Sequence, residues 1–301
     1  MLLALGDYAW DVLVRPQGPF HPGEDLPGQV RLAPGGGAAN VAVWARRSGV
    51  ESAFLGKVGE DFFGRLAEQE LREEGVLPYL VRDASHPTAA VAVWVDAAGE
   101  RTQIYSYGAD YFLAPGELSE EALSRAGHLF VSGWALFTDP PRSAVLAAAG
   151  RVRPVSLDPA SARRIQEMGP GAYLELVRRL APRWFFPNRF EAQVLSGRQD
   201  PEEAARALAD LLPGVGVVVK LDAEGALVPG EGGFVHVPAL PVTVVDATGA
   251  GDAFAGVFLA GVLSGREPVE AARGAVRVAS WVVGRMGARP RGGHPRPFDY
   301  A

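Results

Sequence analysis

Asp246-Ala247-Thr248-Gly249-Ala250-Gly251-Asp252 runs straight into a segment where Phe254, Val257, Phe258, Gly261 and Val262 fall at i, i+3, i+4, i+7 and i+8. That spacing predicts a helix with an apolar face. Ala253, Gly256 and Ala260 are small enough to admit close neighbours, so both faces are expected to be buried. Outward from this helix, strand-like and helix-like segments alternate along most of the chain. Leu2–Leu5, Ser52–Val58, His128–Ser132, Val155–Asp158, Trp184–Phe186 and Val215–Lys220 read as short apolar strands. Helical patterns lie between most of them, at Ala38–Ser48, Phe62–Glu74, Pro141–Gly150, Tyr173–Leu180 and Pro201–Leu211. The alternation predicts an α/β fold, a parallel sheet with helices on both faces.

Two stretches depart from that rhythm. Ala9–Arg31 has extended segments and Gly/Pro turns but no helical pattern, and Thr88–Tyr107 reads as a hairpin turning at Ala98–Gly99. Together they would build a small sheet outside the main one, or stand as separate hairpins. No repeat, low-complexity tract or linker divides the chain, so residues 1–301 read as a single domain. The Pro- and Gly-rich stretch Arg289–Ala301 is expected to lie as a tail over the surface.

Composition excludes several classes. With 48% hydrophobic and 21% charged residues the chain is a folded globular protein rather than a disordered one. It has no Cys, so it holds no disulfide, thiolate zinc site or iron–sulfur cluster. The net charge of −6 argues against duplex nucleic acid or an anionic membrane as partner. No apolar run reaches the ~20 residues of a spanning helix, and no basic residue precedes the short apolar N-terminal run, so no signal peptide is read. A soluble, cytoplasmic protein is expected. The chain has only two Lys, Lys57 and Lys220, and two Asn, Asn40 and Asn188. Residues this rare draw attention to the places that hold them.

The loop before the long helix carries the clearest chemistry. The first N–H groups of a helix lack internal partners and carry the positive end of its dipole, which suits phosphate. Gly249 and Gly251 leave a ligand room to touch the main chain, and Thr248 adds a hydroxyl. Asp252 would repel phosphate there. It either stabilises its own helix or serves as a base beside the phosphate, taking the proton of an attacking hydroxyl.

Gly35-Gly36-Gly37-Ala38-Ala39-Asn40 is either a tight turn into a helix or a backbone surface open to a polyhydroxy ligand, with the Asn40 amide adding donors and an acceptor. It is no dinucleotide fingerprint, since Asn40 stands where a third Gly belongs, and Val58 after Gly56-Lys57 rules out a P-loop there. Asn188 and Glu191 at i and i+3 are either a capping box or a pair suited to Mg²⁺ through water. The five histidines show no paired spacing and assign no metal. Asp7 and Asp11 follow the first strand, near the strand ends where α/β sheets bind ligands.

Together these residues resemble the ribokinase, or PfkB, family of carbohydrate kinases, over nearly the whole chain. The likeness is strongest from Gly35 through Asn40 to the segment Gly56–Gly64, and in Asp246–Asp252 with its helix. It implies a ribokinase-like doubly wound αβα core with a small β-sheet lid, built by segments near residues 9–34 and 86–110. It implies ATP as phosphoryl donor with Mg²⁺. Asp252 would be the base, with the amides of Gly249, Ala250 and Gly251 as anion hole. Asp11, Gly35, Gly36 and Asn40 would bind the sugar, with Tyr107 beside it. Asn188 and Glu191 would support Mg²⁺ and phosphate, Glu191 through water. Lys220, Asp222, Gly225, Thr248 and Ala279 would line the nucleotide site. A monovalent cation such as K⁺ would lie near Asp246 and the loop 285–290, and a homodimer would form through the lid.

Some positions depart from the family pattern. Ala247 replaces a usual hydroxyl residue, Asp222 a common Gly, and Gly37 the Lys frequent in true ribokinases. Tyr107 stands where kinases of acidic keto-sugars tend to carry Arg, which argues against an acidic substrate. The expected reaction is transfer of the γ-phosphate to a hydroxyl, a primary one by preference, of a small sugar. A nucleoside kinase of the same fold and a catalytically silent binder are the alternatives. A nicotinamide oxidoreductase lacks its fingerprint.

Overall fold

The computed structural model describes residues 1–19, 21, 23, 25–95 and 101–298. The chain opens with β1 (Leu2–Leu5), β2 (Ala9–Pro16) and β3 (Gly28–Gly35), then α1 (Gly37–Arg47), β4 (Ser52–Gly59), α2 (Phe62–Glu73) and β5 (Leu77–Asp83). β6 (Ala89–Val95) and β7 (Arg101–Tyr105) are antiparallel neighbours, followed by α3 (Glu120–Arg125), β8 (His128–Ser132), α4 (Pro141–Ala149) and β9 (Val155–Asp158). Next come α5 (Ala162–Met168), α6 (Pro170–Leu180), β10 (Trp184–Phe185), α7 (Arg189–Ser196), α8 (Pro201–Leu211), β11 (Gly216–Val217) and β12 (Val219–Lys220). The hairpin strands β13 (Ala226–Gly230) and β14 (Gly233–Val237) precede α9 (Ala250–Leu263) and α10 (Pro268–Val283).

Seven strands form a wholly parallel sheet in the order β11-β10-β9-β8-β1-β4-β5. β1 shows why both faces are covered. Leu2 and Ala4 enter one apolar cluster with Trp44, Phe54 and Phe258, while Leu3 and Leu5 enter another with Leu55, Val131 and Phe185. Side chains alternate between faces, so a strand apolar at every position needs helices on both. The strand order reverses between β1 and β8, and a crevice opens beyond their carboxyl ends, the usual ligand position in such sheets.

β2, β3, β6 and β7 form a separate four-stranded sheet in the order β3-β2-β6-β7. Its strands come from the two stretches that broke the helix–strand alternation. The turn expected at Ala98–Gly99 lies outside the described residues. The expected strand Val215–Lys220 is split. β11 pairs with β10 in the main sheet, whereas β12 pairs with β13 in a three-stranded sheet. Val218 N–H still donates to Phe185 O (2.8 Å), so the chain follows its neighbour while its other edge picks up the hairpin. β5 and α10 were not read from the sequence. β5 carries Pro78 and sits at the sheet edge, where a missing donor is tolerated.

The stretch Arg289–Ala301 does not begin as a surface tail, which corrects the expectation. The Arg289 side chain is 0% exposed and pairs with Glu70 at 2.6 Å. Further on, Phe298 closes over the helix glycines Gly261 and Gly274. A buried guanidinium needs a buried partner, and the composition of the stretch does not reveal one. Among the described residues no helix is long and apolar enough to cross a membrane.

Candidate active site

The crevice at the strand reversal is a cavity of about 450 Å³. Its walls come from the carboxyl ends of the main strands, the starts of α1 and α9, and the four-stranded sheet. At one end, the Asp7 carboxylate accepts the Gly37 N–H (2.6 Å), capping α1 from another part of the chain. Gly36, with φ 90°, makes the turn into that helix; a Cβ there would lie 2.5 Å from the Asp7 carbonyl. A Cβ on Gly35 would lie 2.6 Å from an Asp11 carboxylate oxygen, so glycine is what lets Asp11 sit beside the turn. Asp110 completes this end, with burial first and the Asp7 carboxylate second pushing its carboxyl up to about 7.

At the other end Lys220 pairs with Asp158, and Asn188 and Glu191 stand beside them. Burial pushes the Lys220 ammonium down, but Asp158 and Glu191 outweigh it and the net shift is upward. Asn188 and Glu191 form a capping box on α7: Glu191 N–H donates to Asn188 Oδ1 (2.9 Å), and Asn188 N–H to Glu191 Oε2 (2.7 Å). The structural alternative read from the sequence is therefore present, with Glu191 also in the cavity wall. Burial, then Asp158, pushes its carboxyl up to about 8. Asp158, Glu191 and Asp252 crowd around the single Lys220 ammonium, an acid-rich setting that a bound cation would relieve. Among the described residues no cluster of three metal-ligating side chains exists. The donor set fits Mg²⁺ held mostly by phosphate oxygens and water, the usual habit of that ion.

Asp252 lies between the two ends. It stands in the first turn of α9, with Gly249 (φ 72°) making the turn before it. Asn40 Nδ2 donates to Asp252 Oδ2 (2.7 Å). Burial and the Asp158 carboxylate push its carboxyl up to about 7, against the pull of Asn40 and Lys220. A Cβ on Gly251 would stand 3.2 Å from Lys220 Nζ, so the ammonium hangs over the helix start. Thr248 lines the cavity with its hydroxyl turned to Asp246 Oδ1 (2.6 Å), and Ala250 N–H makes a long bond to the Ala247 carbonyl (3.4 Å).

Asp11, Gly36, Asn40, Asn188, Glu191, Lys220, Thr248, Gly249 and Asp252 thus share one cavity. Tyr107 is outside its wall. It is exposed and stacks edge-on against Tyr105 (5.6 Å) and Tyr111 (4.5 Å), which do line it. Asp222, Gly225 and Ala279 lie outside the wall as well. Lys57, the other rare Lys, serves packing, bonded to Glu117 (2.8 Å) and Asp83 (3.3 Å). Asp110, Ser132, Asp158 and Trp134 were not singled out from sequence. Ser132 and Asp158 end parallel strands, and that position was the available signal.

A profile of pfkB family carbohydrate kinases matches residues 2–292. The chain belongs to the pfkB family of carbohydrate kinases. Among curated relatives of this pfkB-family chain, a fructokinase of Klebsiella pneumoniae is 36% identical over 249 residues, covering 79% of this chain and 80% of that one. A solved fructokinase from Vibrio cholerae, with fructose, ADP and calcium bound, superimposes with a TM-score of 0.79 at 30% identity, covering 95% of this chain and 94% of that one. An Escherichia coli protein described as a putative ribokinase II, with ATP and Mg²⁺, gives 0.83 at 27% identity with the same coverage. The ribokinase-like α/β fold and the family resemblance read from the motifs are borne out. The pfkB-family protein is a carbohydrate kinase, a phosphotransferase.

Proposed function

We propose that the protein transfers the γ-phosphate of Mg·ATP to a hydroxyl, preferentially a primary one, of a small neutral sugar, with Asp252 as base. The observation that carries this reading is the place of Asp252. It touches Asn40 on the sugar side and feels Lys220 and Asp158 on the phosphate side. Its Oδ2 is held by Asn40, and Oδ1 is left to take the hydroxyl proton. The sugar oxygen then bonds to phosphorus as the bond to the ADP oxygen breaks. The N–H groups around Gly249, Ala250 and Gly251, with Lys220 above them, would stabilise the transferring charge. Mg²⁺, when bound, neutralises phosphate charge, with Glu191 holding its water shell. The nucleotide would extend past Lys220 toward Asp222, Gly225 and Ala279. ATP and Mg²⁺ in the Escherichia coli relative, and fructose in the Vibrio fructokinase, support both halves of the assignment.

Charge supports a neutral acceptor. Asp7, Asp11 and Asp110 crowd the sugar end, and among the described residues Lys220 is the only basic side chain in the cavity wall. Carboxylates such as Asp7 and Asp11 accept hydrogen bonds from sugar hydroxyls and repel a sugar acid, and Asp110, its carboxyl raised to about 7, adds no positive charge to offset them. A nucleoside is the second reading, favoured by one observation: Tyr105 and Trp134, 6.2 Å apart, form an aromatic wall on which a base could stack.

The four-stranded sheet would be a lid, shutting water out as the sugar binds. Its outer face exposes Val30 (67%), Leu32 (45%) and Ile104 (72%), which supports a homodimer through the lid. A monomer at micromolar concentration by light scattering would refute that. A monovalent cation would belong at the junction that Asp246 closes by accepting the Gly287 N–H (2.9 Å), and swapping K⁺ for a bulky organic cation tests it. We place the protein in the cytoplasm, the compartment that supplies ATP. The deciding assay is ADP release with Mg·ATP across ketoses, aldoses, sugar acids and nucleosides. One neutral sugar well above the rest is expected; a sugar acid in first place, or silence throughout, would overturn the reading.

A further inference from the structure

Arg289 spends its whole guanidinium inside the protein. Nε donates to Asn40 Oδ1 (2.6 Å), Nη1 to Glu70 Oε2 (2.6 Å) and Nη2 to the Gly35 carbonyl (2.8 Å). The guanidinium carbon lies 5.3 Å from the Tyr8 ring centre, and the Tyr8 hydroxyl also donates to Glu70 (3.3 Å). A buried charge needs its counter-ion, so Glu70 accounts for the arginine's being tolerated. It does not account for the bond from Nε to Asn40.

An asparagine amide has an oxygen end and a nitrogen end of nearly equal shape, and the surrounding hydrogen bonds decide which points where. Arginine only donates. With Nε against one end of the Asn40 side chain, that end must be the oxygen, and the NH₂ must face Asp252. We propose that Arg289 is a positioning residue for the base: it locks the Asn40 amide so that Asp252 Oδ2 always receives a donor and Oδ1 is presented to the acceptor hydroxyl. Through Gly35, the last residue of β3, the same guanidinium also pins the end of the four-stranded sheet to this arrangement. The proposal rests on the kinase reading for its consequence in catalysis, though the lock itself is geometric.

Other charges face Asp252 as well. Lys220 lies at the end of β12, Asp158 at the end of β9, and Asp7 after β1. Arg289 bonds none of them, so its removal acts on Asp252 through Asn40. Freed, the amide can turn its carbonyl toward the carboxylate, which disfavours the ionised form and draws Oδ2 off its line.

The test uses two variants of the full chain. Arg289→Lys keeps a cation for Glu70 but loses the planar fork that reaches three acceptors at once. Arg289→Met with Glu70→Gln removes both charges, so no orphan carboxylate is left in the interior. Each is measured by thermal melting, by the pH dependence of kcat, and by ¹³C NMR titration of the Asp252 carboxyl, assigned from Asp252→Asn. Expected are folded variants with the Asp252 midpoint and the acid limb of kcat raised by roughly one pH unit, and kcat down about 10–100-fold at unchanged KM for ATP. A purely structural arginine would give Arg289→Lys normal titration and normal kcat, and that result overturns the proposal. Should neither variant fold, the wild type decides. The Asn40 side-chain NH₂ signals must follow the Asp252 titration, and their failure to do so overturns the lock. The NMR readings need no substrate, so a wild type inert toward every acceptor would refute the kinase reading without touching this one.

Discussion

Lys220 and Asp158 are ion-paired at the carboxyl ends of two strands that belong to different sheets, β12 and β9. The pair lies at the end of the cavity proposed to take the phosphates. Lys220→Met leaves the Asp158 carboxylate beside Glu191 and Asp252 with no ammonium to balance it. Steady-state kinetics should show kcat/KM for ATP reduced about 10²–10³-fold, the range for removing one donor to developing charge. Acceptor affinity, measured by calorimetry without nucleotide, should change far less.

Asp252→Asn preserves shape and removes the proposed base. kcat should fall about 10²–10⁴-fold, with the acceptor KM within a few-fold of wild type. Full kcat in this variant would remove Asp252 from the mechanism.

The pH profile follows from the same carboxyl. As the proposed base, Asp252 must be ionised to act, and its carboxyl is pushed up to about 7. kcat should therefore rise as pH increases through neutrality and level off above it. In Asp252→Asn the residual rate should lack that limb.

Asp110 gives a stability prediction of definite sign. Its carboxyl is raised from 3.8 to about 7 in the folded protein. The folded state then holds the proton over a range where the unfolded chain has lost it, so stability falls as pH rises from about 4 to about 7. Asp110→Asn should melt higher than wild type at pH 8, by an amount equivalent to about 1–3 kcal/mol. The difference should vanish below pH 4. Equal melting temperatures at pH 8 would refute the burial argument.

Gly251→Ala tests the ammonium over the helix start. The new methyl would stand 3.2 Å from Lys220 Nζ, the mobile end of a long side chain. The fold should survive, and the KM for ATP should rise about tenfold, the effect of roughly 1.4 kcal/mol of lost binding. Gly249→Ala is different. There φ is 72° and the methyl would meet the Ala288 side chain at 2.3 Å, so loss of the folded protein is expected.

Most of the sheet was legible because β1 is apolar at every position and its neighbours are largely apolar, a pattern with one common solution; β5, with Pro78, Arg82 and Asp83, lacks that pattern and was missed. The site was legible where backbone demands glycine, at Gly35, Gly36 and Gly249, and where a rare residue stood, at Asn40, Asn188 and Lys220. Asp158 and Asp110 were not, because their roles come from neighbours that the fold supplies. Arg289 was hidden most deeply. It sits in a Pro/Gly-rich stretch that looks like surface, and its partners Gly35, Asn40 and Glu70 lie more than 200 residues earlier. Tyr107 lies outside the cavity wall for a local reason: β7 ends at Tyr105, which lines the cavity, and two residues further on the chain has left the strand, so Tyr107 packs edge-on against Tyr105 instead.

Arg289 holds Asn40, and Asn40 holds Asp252, so the last link of this chain is also among the last to be made. On the reading proposed above, a nascent peptide already carrying Asp7, Lys220 and Asp252 would still lack the Asn40 lock until residue 289 has left the ribosome. A chain terminated before that residue would then carry the proposed phosphate cradle with the proposed base unlocked, and its hydrolysis of ATP by water would be correspondingly slow.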